Sequence, residues 1–120
     1  MAAEGPTIPA MDHEGEVCQH FQGAAELLGR RWVPQLVFVL LGGPRRFTDL
    51  RAAIPSISDG LLSERLKELE AAGIVSRSVT PSTPVRIEYA LTTRGGDLAG
   101  VVQELSRWAE RWSSTAPAPA

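Results

Sequence analysis

Apolar residues recur at helical spacing along most of the chain, and glycines and prolines divide the pattern into segments. The first segment runs from Val17 to Leu28 and stops at Gly29, a residue type that often ends helices. The second, RRWVPQLVFVLLGG at 30–43, is apolar on nearly all sides, which is typical of a buried central helix. Pro34 fits the first turn of that helix, where its missing N–H is not needed.

Two further helices follow, with a tight turn between them. FTDLRAAI, at 47–54, has one apolar face and is closed by Pro55. Ser58 suits the N-cap of the next helix, and Asp59 places negative charge near the positive end of its dipole. This helix ends at Gly73, and its narrow apolar seam consists of Leu62, Leu66 and Leu69.

After Gly73, apolar and polar residues alternate along the chain. IVSRSVT at 74–80 and VRIEYAL at 85–91 are typical strands, and the stiff, polar PSTP between them makes a hairpin. A last helix, from about Thr93 to Trp112, carries a long apolar stripe. This order predicts an α+β, mostly helical fold: a winged helix-turn-helix with a two-stranded wing.

Both ends of the chain carry too little apolar surface to fold alone. We expect flexible segments at 1–16 and 113–120 and one folded domain at 17–112. No apolar run approaches the ~20 residues of a membrane span, and no secretory signal pattern is present. One cysteine, Cys18, excludes an internal disulfide and favours a cytoplasmic protein.

The net charge of −2 is unevenly distributed. Residues 1–29 carry five acids and no Lys or Arg, whereas residues 30–95 carry ten basic residues against six acids, a net charge of +4. A basic middle segment is compatible with nucleic acid because phosphate contacts are local. Charge alone nevertheless favours an ordinary solvated surface.

Several motifs, in order, resemble the HxlR-type winged helix-turn-helix regulators of bacteria. The resemblance runs from Cys18 to about Trp112 and includes LLGRRW, GGPRRFTDLRAAIPSIS, LLSERLKELEAAGIVSR and PVRIEYALTTRG. It implies a DNA-binding transcriptional regulator, usually a repressor, that acts as a homodimer on a palindromic double-stranded operator. It also implies a response to a small molecule, an electrophile or an oxidant. We expect no cofactor.

The helix with the leucine seam is the candidate recognition helix. Its N-terminal half is expected to reach base edges in the major groove. Ser58, Asp59, Gly60 and Ser63 are the base-proximal or capping candidates, and Lys67 is a phosphate candidate. In the family these first positions are often amide or basic residues, so Asp59 and Gly60 depart from the pattern. Asp59 could instead accept a hydrogen bond from cytosine N4.

Other polar residues are candidates for phosphate contacts, which position a protein without reading sequence. They are Arg45 and Arg46 before the short helix, Arg77 and Arg86 on the wing, and Ser82 and Thr83 near its tip. For each arginine, a solvated charge or a local salt bridge is an equally good explanation. Arg65, beside the seam, is at least as well explained by an intramolecular ion pair.

The final helix is the candidate dimer helix, because a chain of 120 residues has little core left to bury two more tryptophans. The resemblance places it with the N-terminal helix at the subunit interface. The candidates for the interface or an effector pocket are Phe21, Leu28, Leu105, Trp108 and Trp112. The alternative is that both tryptophans fold back on their own core. Trp32 is expected to anchor the core.

Cys18 lies at the start of the first helix, where it resembles the N-terminal cysteine of redox-sensing members. A helix N-terminus favours the thiolate, whereas Glu14 and Glu16 favour the thiol. Oxidation could give only an intersubunit disulfide or a mixed adduct, and an inert thiol is equally compatible with the sequence. A ligand bound between the dimer helices is the other candidate signal.

Metal and enzyme sites are not predicted. His13, Cys18 and His20 do not have the spacing of a zinc site. The chain has no Gly-rich phosphate loop, no nucleophile elbow and no CxxC pair. A winged-helix interaction module that never binds DNA is the alternative function.

Overall fold

The computed structural model describes residues 16–113, so the predicted flexible ends lie outside the described residues except for Glu16 and Ser113. The described residues divide into two compact units, one that ends at Val33 and one that begins at Pro34. The helices are α1 (Gln19–Gly29), α2 (Val33–Leu40), α3 (Phe47–Ala53), α4 (Asp59–Ala71) and α5 (Thr93–Ser113). The strands are β1 (Val75–Thr80) and β2 (Arg86–Leu91). The predicted α+β winged-helix order is confirmed.

In the first unit, Cys18 is the N-cap of α1, and the helix ends at Gly29, as predicted. None of the α1 residues is buried. Trp32, expected to anchor the core, is only partly buried. Its backbone is left-handed (φ 77°), and the Arg31 guanidinium lies 5.0 Å from the centre of its ring, a cation–π contact. The turn conformation explains why a residue in an apolar pattern is not a core residue.

In the second unit, α2 buries one face and exposes the other. Leu36 and Val37 are fully buried, whereas Phe38 is 48% exposed, and Leu41, in the turn that follows the helix, is 37% exposed. The prediction of a helix buried all round is therefore wrong. The core that α2 joins consists of Leu36, Val37, Leu40, Leu50, Ile54, Ile57, Leu62, Leu66, Leu69, Ile74, Val75, Ala99 and Val102.

Helices α3 and α4 form the helix-turn-helix. The backbone N–H of Arg46 donates to Asp49 Oδ2 (3.0 Å) at the start of α3. The Leu61 N–H donates to Ser58 Oγ (3.1 Å), which confirms Ser58 as the N-cap of α4. Beyond the C-terminal end of α4, Gly73 has a positive φ of 76°, as a helix-ending glycine does.

The two strands pair antiparallel, with Val75 opposite Leu91 at the base of the wing and Thr80 opposite Arg86 near its tip. The Thr92 hydroxyl donates to the carbonyl of Gly73 and accepts from the N–H of Gly95. This hydroxyl joins three elements: the end of α4, the base of the wing and the start of α5.

Candidate nucleic-acid interface

The leucine seam determines which side of α4 faces outward. Leu62, Leu66 and Leu69 are buried, with at most 1% of each exposed. Because these leucines pack on the core, the opposite face turns to solvent, where Gly60 and Lys67 are exposed. The prediction of one buried and one outward face is confirmed.

An open cleft of about 370 Å³ lies where α4 meets the wing. Ser63, Lys67 and Arg77, three of the residues predicted to contact DNA, line it together with Leu66, Glu70 and Tyr89. The cleft exists because β1 begins four residues after α4 ends and turns back beside it. It brings one cation from the helix and one from the wing to the same surface.

Asp59, the acid that departs from the family pattern, is paired. Its Oδ1 lies 2.6 Å from Arg51 Nη1, and the side chains of Asp59 and Arg51 are 67% and 47% exposed. Arg51 is a residue of α3 that was not among the predicted site residues, although it lies only eight positions before Asp59. The pair offsets the negative charge at the first turn of α4.

Some of the remaining residues predicted to contact DNA have partners within the chain. The Arg45 guanidinium donates to the carbonyls of Gly43 (3.2 Å) and Pro44 (3.1 Å), and its backbone pairs with Tyr89. Arg86 lies 3.8 Å from Glu88. Arg46 and Thr83 are exposed, and the Ser82 hydroxyl donates to the Pro84 carbonyl at the wing tip.

Arg65 confirms the expectation of an internal ion pair. Its Nη1 lies 3.3 Å from Glu68 Oε1, and only 11% of its side chain is exposed. It therefore stabilises α4 from beside the seam.

Cys18 is partly exposed at the N-cap of α1, and its Sγ lies 3.9 Å from His20 Nδ1. From the sequence, His20 was tested only as a metal ligand, and this proximity was not predicted, although two residues of separation at a helix start could have indicated it. Among the described residues, no three His, Cys, Asp or Glu side chains cluster as metal ligands. His13 lies outside those residues.

Helix α5 has two apolar faces. Gly95, Ala99 and Val102 are buried. A second stripe is about half exposed and consists of Val101, Leu105, Trp108 and Trp112. With 3.6 residues per turn, the stripe lies about 120° around the helix from the buried face. Within the single chain the tryptophans do not fold back on the core, so that alternative is wrong.

One of the two candidates for the dimer interface on α1 is also about half exposed. Phe21 is 53% exposed, and Leu28 is partly buried. No helix within 16–113 is both long and apolar enough to span a bilayer.

These features match a known group of proteins. The family model of HxlR-like helix-turn-helix proteins matches residues 27–117. The chain belongs to the HxlR-like helix-turn-helix family. The resemblance inferred from sequence motifs is confirmed, and this HxlR-type protein is a DNA-binding transcriptional regulator.

Two relatives from Bacillus subtilis illustrate the similarity. The uncharacterized HTH-type transcriptional regulator YvaP is 50% identical over 100 residues, which cover 83% of this chain and 93% of YvaP. The reduced form of the transcriptional regulator YodB superposes with a TM-score of 0.74 at 42% identity, covering 84% of this chain and 99% of YodB. Quinone-bound YodB gives a TM-score of 0.69 at 41% identity, covering 79% of this chain and 99% of that one.

Proposed function

We propose that this HxlR-type regulator binds operator DNA through α4 and the wing, in the bacterial cytoplasm, and represses the adjacent genes. The observation that carries the proposal is that Lys67 of α4 and Arg77 of β1 line one open cleft. Cationic side chains hold phosphates, and the first turn of α4 supplies groups for base edges. Both kinds of contact are thus available on one face.

The regulator acts as a homodimer in which a second copy covers the exposed stripe of α5. The stripe ends in Trp108 and Trp112, which are 55% and 51% exposed. Tryptophan is enriched at interfaces, and contiguous exposed apolar patches mark association sites. A two-fold dimer presents two α4 helices to half-sites about 34 Å apart, which requires a palindromic operator.

Cys18 is the proposed sensor of oxidants and electrophiles. Cys18 is partly exposed at the N-cap of α1, so its thiol is accessible to oxidants and electrophiles. An oxidant takes two electrons and two protons from the Cys18 thiols of two subunits and leaves a disulfide. A quinone instead adds to one thiol: a C–S bond forms, and the thiol proton passes to a quinone oxygen. Either product alters the dimer and so the spacing of its recognition helices. A solved structure of the relative YodB is quinone-bound, which supports an electrophile as the signal.

The test is binding of the reduced protein to the DNA upstream of its own gene, repeated after mild oxidation with diamide. We expect oxidation to abolish binding by the wild type, reductant to restore it, and Cys18→Ser to bind DNA whether or not diamide is present. Binding that oxidation leaves unchanged in the wild type would refute the thiol sensor. The next candidate signal to test would then be a small apolar ligand at the dimer helices.

A further inference from the structure

Arg51 and Asp59 form an ion pair on the surface at the start of the recognition helix. Arg51 is on the exposed side of α3, and its Nη1 lies 2.6 Å from Asp59 Oδ1. Asp59 is the first residue of α4, at the end of the helix that is expected to reach base edges. The pair therefore joins the two helices of the motif at the surface that faces DNA in the proposed function.

The fold has little need of this pair. Ion pairs between solvent-exposed side chains contribute little to stability, and both side chains here are about half exposed or more. The first turn of α4 is already capped by Ser58, which accepts from the Leu61 N–H. The pair can therefore be removed at little cost to the fold, so an effect of its removal on DNA binding can be measured separately.

A carboxylate at the DNA-facing start of α4 is repelled by phosphates unless a cation lies beside it. Phosphates repel an unpaired Asp59, and Arg51 offsets that charge before DNA arrives. The ion pair engages Oδ1 and leaves Oδ2 as an acceptor, because a carboxylate has about four lone-pair sites. In the major groove, the base group that donates to a carboxylate is the amino group of cytosine N4.

We propose that Asp59 reads a cytosine in each half-site and that Arg51 is the positioning residue that holds its carboxylate for that hydrogen bond. This inference rests on the proposed DNA-binding function. It assigns a role to Arg51 and gives a reason for an acid at the start of α4. It also predicts one base of each operator half-site.

The experiment selects binding sites from a random duplex DNA library with the reduced wild-type protein and with variants. The wild type should enrich a symmetric site with one cytosine preferred about five- to tenfold in each half. Asp59→Ala and Arg51→Ala should each lose that preference at the same position and at no other. The double variant should lose no more of the cytosine preference than either single variant does, because both substitutions remove the same hydrogen bond to cytosine. Arg51→Lys, which keeps the charge, should retain the preference.

Arg107→Ala is the matched control. Arg107 pairs with Glu104 at 3.0 Å, with side chains 56% and 67% exposed, but on α5 rather than at the recognition helix. The Arg107→Ala variant should select the same DNA site as the wild type. Circular dichroism of each variant checks that α4 is folded.

Each contrary outcome is distinguishable. If Arg51→Ala weakens binding to all sequences alike and keeps the cytosine preference, Arg51 is a phosphate contact and the proposal is wrong. If Asp59→Ala selects the wild-type site, Asp59 only caps the helix and the proposal is again wrong. A wild-type protein that enriches no sequence at all overturns the DNA-binding function together with this inference.

Discussion

A Cβ atom on Gly95 would lie 2.1 Å from the carbonyl oxygen of Ile74 and 3.1 Å from Leu91 Cδ2. The start of α5 therefore passes directly against the backbone at the base of the wing. The N–H of Gly95 also donates to the Thr92 hydroxyl (3.0 Å). This close approach fixes the direction in which α5 leaves the wing, and with it the position of the exposed stripe.

Gly95→Ala should lower the free energy of unfolding by about 1–3 kcal/mol or more, because the nearest atom is backbone that cannot move aside. Urea denaturation followed by circular dichroism measures it. The control is Gly96→Ala in the next position, where a Cβ meets nothing within 4 Å. That change should be neutral or stabilise by up to about 1 kcal/mol, since alanine is the better helix former. Equal stabilities for the two variants would refute the close approach.

Ser58→Ala should lower the free energy of unfolding by about 1 kcal/mol, because the Leu61 N–H loses its acceptor. Ser58→Asn keeps an acceptor and should be nearly as stable as the wild type. Thermal or urea unfolding of the three proteins measures the difference. An alanine variant as stable as wild type would show that the cap contributes nothing.

Leu105→Glu should dissociate the proposed dimer, because it places a charge in the centre of the apolar stripe of α5. Gln103→Glu adds the same charge on the opposite side of the helix and should leave the dimer intact. Sedimentation velocity of the variants and the wild type distinguishes monomer from dimer. A Leu105→Glu protein that sediments as a dimer would mean that another surface joins the subunits.

Lys67→Ala and Arg77→Ala should each weaken DNA binding for all sequences alike and flatten its salt dependence. Each variant removes one cation–phosphate interaction from every subunit and two from the dimer, so the slope of log K against log salt should become less steep by about 2. Arg111→Ala removes the same charge from the exposed end of α5 and is the control. An unchanged slope in the Lys67 and Arg77 variants would exclude their cleft from the interface.

Features of the fold that depend on residues close together in the sequence could be predicted from it. The seam of Leu62, Leu66 and Leu69 follows from helical period, and the Ser58 cap follows from the chemistry of one side chain and one N–H. The hairpin follows from alternation and a polar turn. The site residues Ser63 and Lys67 follow because the buried seam determines the outward face.

Features that depend on how elements meet could not be predicted. The Arg51–Asp59 pair requires the angle between α3 and α4, which no periodicity contains. The exposure of Phe38 depends on which side of α2 its neighbours cover. Trp32 belongs to an apolar pattern but has a left-handed backbone in a turn, a conformation that composition does not indicate.

The most direct test of the DNA-binding account is the affinity of the reduced protein for its upstream DNA and for a shuffled sequence of equal composition, measured by fluorescence anisotropy at several salt concentrations. With three or four phosphate contacts per subunit, the slope of log K against log salt should be about −5 to −7. The upstream DNA should bind at least about 10³-fold more tightly than the shuffled DNA. Equal affinity for both sequences, or binding that does not weaken with salt, would contradict a regulator that reads its operator through α4 and the wing.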